Sequence, residues 1–413
     1  MSFETPFINA AMARLNQVDR MIAAFGIVYA ISLIIESPVI SLLPTSTALT
    51  KSKQNYCTIR RFTIHLMLIT TALHFLIAWT PLFDLVIIRW MKTPEELIEL
   101  VRLGLKIMVF WSASIAYRRF RQGILIRNGL TKFISQGTIL RLIGSAGTAL
   151  GLATLSDLPG IAVGSFALTT GVIFESFFIH LVSRKEIKKL SPNVEGHLSY
   201  LELVKFQTPL ALSNIIYLAA SPLITTALAR GPNPIEDLAV WPVLNSMLFV
   251  MRAPAVALPE AIIALYQGPE KEKPLRQFSQ LVGAGLSGFL LIVSTTSLAV
   301  VYFTDLIGIS PALTRVAIPA AQAGILLPIL TALMYYYRGI LTAQKLTVPI
   351  TLGMVVELLV MAVVLFGGVY LGYSGVLVAV IALTAGITAD ALLLILFPKF
   401  SQASPTNNVQ NPN

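Results

Sequence analysis

Four cations, Arg102, Lys106, Arg141 and Arg252, and two acids, Glu36 and Glu357, interrupt long apolar runs of this chain. An ionisable group at such a depth is costly against hydrocarbon, so it faces a packed interior, an opposite charge or a watery cavity. Two kinds of chemistry follow from these residue types. Opposite charges can pair between helices, and arginine can hold a phosphate or carboxylate through two parallel hydrogen bonds from its planar fork. Their spacing is ordered: Glu36 precedes Ser37-Pro38 as Arg252 precedes Ala253-Pro254, and 252 − 36 = 216, while 357 − 141 = 216 separates Arg141 from Glu357. Opposite charges therefore stand at matched places in two halves of the chain, and since equivalent helices approach across a pseudo-twofold axis, Glu36 with Arg252 and Arg141 with Glu357 are expected to pair or to flank one central cavity.

The register that matches them comes from a repeat. Gly123 to Leu142, GILIRNGLTKFISQGTILRL, returns as Gly339 to Leu358, GILTAQKLTVPITLGMVVEL, identical at Gly123/Gly339, Ile124/Ile340, Leu125/Leu341, Leu130/Leu346, Thr131/Thr347, Ile134/Ile350, Gly137/Gly353 and Leu142/Leu358. The same spacing joins Pro38 to Pro254 and Ala48-Leu49 to Ala264-Leu265, and a slip of one residue relates Leu168-Thr169-x-Gly171 to Leu383-Thr384-x-Gly386 and Glu175 to Asp390. Internal repetition on this scale sets architecture, and the chain is a tandem duplication.

Hydrophobic residues make up 55% of the 413 positions and charged ones 12%, outside the range of ordinary soluble domains. Many runs reach the roughly 20 apolar residues that cross a bilayer as helix, so an all-α, multi-pass membrane protein is expected. The runs divide as six per half, the first one short, giving two parallel six-helix lobes around a central cavity. The expected divisions are 1–183 for the N-terminal lobe, 184–202 for a polar linker, 203–400 for the C-terminal lobe and 401–413 for a disordered tail. Six crossings return the chain to its starting side, so the lobes share one orientation and are related by an axis along the membrane normal. Most of the thirty Lys and Arg residues fall in loops on one side if the fourth span ends at Tyr117 and the tenth at Tyr337. Basic loops stay cytoplasmic, which places both chain ends in the cytoplasm of a cell membrane, such as a bacterial inner membrane. This bias accounts for the net charge of +10 without a nucleic-acid partner. The opening MSFETPF lacks the flank of a signal peptide. The opening of the seventh span has no counterpart 216 residues earlier, so a truncated first helix is expected.

Prolines mark candidate hinges. Pro38 and Pro254 recur at matched sites, Pro242 and Pro259 join the eighth span, and Pro319 and Pro328 interrupt the tenth; each removes a backbone hydrogen bond and bends its helix. Glu95, Glu99, Arg102 and Lys106 stripe one face of a helix, the acids at a wet end and Lys106 deeper. Glu260, Glu175 and Asp390 fall near helix ends, where solvated or capping roles are expected. The single cysteine, Cys57, rules out an internal disulfide framework, and His65, His74, His180 and His197 are dispersed. No phosphate-binding G-x-x-x-x-G-K-[ST], no H-E-x-x-H and no Ser-His-Asp arrangement is present, so neither an ATP-driven pump domain nor an enzyme is expected, nor a metal or other cofactor. The partners expected are the lipid bilayer and a small anionic substrate, with a monomer as the working unit.

The duplicated six-helix halves resemble the multidrug/oligosaccharidyl-lipid/polysaccharide exporter superfamily, whose MATE-type members have two six-helix lobes around a central cavity. Within it the chain resembles the progressive ankylosis (ANK) family, through AAFGIVYAISLIIESP, the following T-A-L-T-K-S-K, L-H-F-L-I-A-W-T-P-L at Leu73, P-L-A-L-S-N at Pro209 and G-V-Y-L-G-Y-S-G-V near the end. The resemblance covers about Val18 to Leu396 and implies export of small polyanions: pyrophosphate, nucleotide triphosphates such as ATP, or citrate-like carboxylates. The chain departs from the family at its short first helix and at Glu36.

With what the resemblance implies, three readings stand, beside a lipid-linked flippase that would need a cavity open to lipid. In the first, a secondary transporter or facilitator exports polyanions, with Arg252, Arg141, Lys106 and Arg102 meeting the cargo and Glu36 and Glu357 gating or coupling; at roughly 100 mV inside-negative each exported negative charge gains about 2.3 kcal/mol, so no coupling ion is needed. In the second, a MATE-like antiporter exchanges organic cations for protons or sodium at Glu36 and Glu357. The third is a transport-inactive membrane scaffold.

Overall fold

The computed structural model describes residues 4–192, 198–266, 268–344, 346 and 348–403; the rest of the expected linker and tail, and the Glu260 side chain, lie outside the described residues. The N-terminal half runs α1 (Glu4–Met12), α2 (Val18–Ile40), α3 (Leu42–Leu49), α4 (Lys53–Trp79), a π-helical turn (Asp84–Trp90), α5 (Glu95–Ile107), α6 (Trp111–Arg127), α7 (Lys132–Leu155) and α8 (Gly160–Lys188). The C-terminal half runs α9 (Tyr200–Leu228), α10 (Pro234–Val256), α11 (Leu258–Leu265), α12 (Glu272–Thr295), α13 (Leu298–Val300), a second π-helical turn (Val301–Ile307), α14 (Pro311–Ala323), α15 (Leu327–Ala343), α16 (Val348–Tyr370) and α17 (Gly375–Ala403).

Among the described residues nine helices are long and apolar enough to cross a membrane, and α14 with α15, bent by 44°, makes a tenth. The chain is a multi-pass membrane protein of all-α fold. Two of the twelve expected spans fall short for plain reasons. The α1 segment has nine residues, well under a bilayer's thickness, and α5 with α6 carries Arg102, Lys106, Arg118, Arg119 and Arg121 along its length.

The 216-residue register is built into the backbone. The pairs α2/α10 and α3/α11 match end for end, α7 and α16 start 348 − 132 = 216 apart, and the break at Met108–Phe110 recurs at 324–326. Each half also interrupts a helix just after its matched proline: α2 gives way to α3 at Ser41, three residues past Pro38, and α10 to α11 at Ala257, three past Pro254. Pro242 sits within α10 and Pro259 in the first turn of α11. Helix starts are secured by side chains: Ser199 forms a capping box with Glu202, and Asp237 accepts from the Gly375 and Val376 amides at 3.1 and 3.0 Å, closing the start of α17.

The repeated Gly-Ile-Leu has a packing cause. A Cβ on Gly123 of α6 would lie 2.6 Å from Ser46 Cβ and 2.7 Å from the Leu43 carbonyl oxygen of α3; one on Gly339 of α15 would lie 2.9 Å from Ile262 Cγ2 and 3.3 Å from Pro259 Cα of α11. The partners are themselves matched, since 262 − 46 = 216 and 259 − 43 = 216. Both lobes thus press a long helix onto the short one beyond the break at a point where only hydrogen fits.

The lobes meet through α2 against α9 and α10. At their crossing a Cβ on Gly26 would lie 2.6 Å from Pro242 Cγ, and 242 − 26 = 216, so the pseudo-twofold axis passes between these residues. Gln207 of α9 fastens one end: its amide nitrogen donates to the Pro38 carbonyl at 3.1 Å and Ser41 Oγ at 2.7 Å, and its oxygen accepts from Thr45 at 2.6 Å. Ser41 Oγ donates to the same Pro38 carbonyl at 3.2 Å, so side chains of both lobes meet at the interruption of α2. At the other end Arg230 donates to the Trp90 carbonyl.

Candidate functional site

The membrane-depth charges gather into one cluster per lobe. In the N-terminal lobe Arg141 of α7 grips Glu4 of α1 with both prongs, Nε to Oε1 at 3.0 Å and Nη2 to Oε2, while Ser145 one turn on donates to the same Oε1 at 2.5 Å. Glu175 of α8 accepts from Arg118 and, at 2.9 Å, from Gln122, both on one face of α6, and Arg141 Nη1 stands 3.8 Å from it. Glu4, Arg118, Arg141 and Glu175 are 2%, 3%, 3% and 0% exposed. Glu36 is buried on α2, within electrostatic range of Arg119, Arg118 and Arg141, and its Oε2 has no hydrogen-bond partner among the described residues.

In the C-terminal lobe Arg338 of α15 donates to Asp390 of α17 and, at 3.2 Å, to Glu357 of α16. This repeats the first cluster: 338 − 122 = 216 makes Arg338 the counterpart of Gln122, each donating to the acid of its lobe's last helix, Glu175 or Asp390. The duplicates differ in charge count. Two arginines face Glu4 and Glu175 in one lobe, and in the other Arg338 faces Glu357 and Asp390, since Met334 stands where Arg118 stands in the first half.

Several expectations change here. The reciprocal pairs Glu36–Arg252 and Arg141–Glu357 do not form; Arg141 and Glu357 are each neutralised within their own lobe, because α7 packs on α8 and α1 and α16 packs on α17 and α9, while α2, α9 and α10 occupy the axis. Arg118, Arg121 and Arg338 are not loop cations: α6 and α15 run on past Tyr117 and Tyr337 and bury them. Glu175 and Asp390, expected as solvated or capping groups, are the fully buried hubs. Arg102 pairs with Asp84 at 3.1 Å over the Phe83 ring, and Lys106 Nζ lies 4.6 Å from the Trp79 ring centroid, so both keep to the end of α4 and α5 beside the π-helical turn, apart from the Arg141 cluster. Arg252, on the last turns of α10, is half-buried, its Nε 3.4 Å from the Leu248 carbonyl and Glu357 within its electrostatic range.

Of the residues not anticipated, Arg118, Gln122 and Arg338 carried a signal in the sequence. Arg118 and Gln122 are four apart on a helix and so share a face, and positions 122 and 338 immediately precede the repeated glycine. Glu4 carried none, because its helix looked like a remnant.

The cavities are modest. One of about 20 Å³ lies between α9 and α16, lined by Ile216, Ala220, Met354, Glu357, Leu358 and Met361. An open groove of about 390 Å³ runs between α14 and α17, lined by small apolar residues with Thr384 and Thr388.

No protein-family model and no curated protein matches the chain. Solved structures do match its fold. A multidrug resistance MATE family transporter of the MOP superfamily in its inward-facing conformation aligns with TM-score 0.76 at 15% identity over 97% of this chain and 95% of that one. The lipid II flippase MurJ, inward closed, aligns with TM-score 0.74 at 14% over 99% and 92%. A MOP superfamily transporter from Pyrococcus furiosus, whose binding pocket is described as of reverse polarity and suggestive of a different function, aligns with TM-score 0.66 at 14% over 97% and 94%. The chain has the MATE-like fold.

Proposed function

We propose that the chain is a secondary membrane transporter that works by alternating access of its two lobes, and that its cargo is a small polyanion such as pyrophosphate, a nucleotide triphosphate or a citrate-like carboxylate. The observation that carries the reading is the lobe interface itself. Two duplicated bundles meet along α2, α9 and α10, with Gly26 on Pro242 as a close matched approach and a helix interruption beside each matched proline; two matched bodies packed along a shared line can rock about it. Solved examples of the same fold in inward-facing and inward closed conformations support the motion. For the cargo, the support is Arg252, a half-buried cation on the last turns of α10, the helix that packs on α2 between the lobes.

Proteoliposomes loaded with labelled pyrophosphate, ATP or citrate test this. Flux of at least one is expected, and Arg252→Ala is expected to lower it about tenfold or more, the worth of one charge-assisted hydrogen bond. Flux unchanged in Arg252→Ala removes that residue from the cargo site. The second reading, cation antiport, draws on buried Glu36 with its unpartnered oxygen and on the acid excess at Glu357 and Asp390. Transport of an organic cation that requires an imposed pH or sodium gradient, and is lost in Glu36→Gln, decides for it; no flux of either kind decides for a scaffold.

A further inference from the structure

We propose that the pocket made by Arg141, Ser145 and Gly171 is a carboxylate-binding site of the N-terminal lobe, filled in this structure by the chain's own Glu4 and open to an external carboxylate once that side chain is withdrawn. The site is independent of the transport reading and stands on four observations.

The donors are arranged for a carboxylate rather than for a point charge. Arg141 meets both Glu4 oxygens in the two-pronged manner that specifies a planar oxyanion, and Ser145 adds a third donor to one of them. Space has been cleared for the group. A Cβ on Gly171 would collide with Ser145 Oγ and would lie 2.9 Å from the Arg141 carbonyl and 3.2 Å from Glu4 Oε1, so glycine here leaves room for the Ser145 donor and, beside it, for the carboxylate.

The pocket also holds more donors than its acids satisfy. Arg141 Nη1 and Arg118 Nε and Nη2 are buried and have no hydrogen-bond partner among the described residues. Buried donors are ordinarily satisfied, so Arg118 and Arg141 together are equipped for more acceptor oxygens than Glu4 and Glu175 bring.

The second lobe supplies the comparison. The counterparts of Glu4, Arg141 and Ser145 are Ala220, Glu357 and Met361, by 220 − 4, 357 − 141 and 361 − 145, each 216. All three line the cavity of about 20 Å³, room for a water molecule. Where the duplicate carries a methyl group in place of the Glu4 side chain, the helices do not close the gap. An external ligand therefore meets a standing hole when Glu4 is shortened in the first lobe.

The probe is formate, in full-length detergent-solubilised protein, read by thermal unfolding. Glu4→Ala is expected to lower Tm by about 10 °C by leaving Arg141 buried without its partner. Sodium formate at about 50 mM is expected to return about 3 °C or more of that loss through mass action, with no shift from equimolar chloride, none in the unsubstituted protein and none in the Glu4→Ala/Arg141→Met double variant. If Glu4→Ala cannot be purified alone, extraction in formate is expected to recover folded protein where chloride does not. The proposal is overturned by a Glu4→Ala protein indifferent to formate, by an equal shift in the double variant, or by failure of formate to recover a protein that chloride also fails to recover.

Discussion

Arg338→Met should destabilise the folded protein by about 3–5 kcal/mol, the loss expected when one partner of a buried ion pair is removed and its opposite charge stays buried. Arg338 is the cation that donates to both Glu357 and Asp390, and Asp390 is 0% exposed. Without it Asp390, fully buried, and Glu357, largely buried, share a site without the cation that pairs with both. The remedy identifies the cause. Adding Asp390→Asn and Glu357→Gln to Arg338→Met removes both stranded charges and should restore most of the stability, because a neutral cluster carries no ionic desolvation cost. Denaturation of the three proteins in the same detergent reads this out. A single variant as stable as the parent, or a triple variant no better than the single, contradicts the assigned pairing.

Gly123→Ala should cost about 1–3 kcal/mol, the usual range for overpacking, and more than Gly339→Ala. At Gly123 the new methyl meets backbone as well as side chain, 2.7 Å from the Leu43 oxygen and 2.8 Å from the Thr47 nitrogen. At Gly339 the nearest groups belong to the Ile262 side chain, and the closest backbone atom is Pro259 Cα at 3.3 Å. A side chain can turn where a helix backbone cannot, so the two matched positions should rank in that order in paired melting curves.

How much of this was legible beforehand depends on the kind of information. The duplication, the parallel halves and the matched breaks follow from Gly123/Gly339 and Pro38/Pro254, because a repeat constrains backbone and backbone is what both copies share. The apolar runs foretold most of the crossing helices for the same reason, length and composition sufficing. Side-chain partners were not legible. Arg141 and Glu357 invite pairing by their opposite signs, yet α7 packs on α8 and α1 while α16 packs on α17 and α9, and sign alone says nothing about which helices are neighbours. Arg118 and Arg338 read as loop residues when the spans are ended at Tyr117 and Tyr337; in the fold, helix continues through the charge, and an acid on the last helix of the same lobe receives it. Glu4 is the clearest case, since a short opening segment offers no periodicity from which to infer a buried partner.

The contact of Gly26 with Pro242 has a consequence for descent. Two separate copies of a six-helix unit, paired as a symmetric dimer, must present the same residue to each other wherever the axis passes through a contact: two glycines would leave a gap there, and two prolines would collide. A recess opposite a ring is available once the two halves differ in sequence, as the two halves of one duplicated polypeptide can. The crossing is thus directional, its glycine side and its proline side no longer interchangeable.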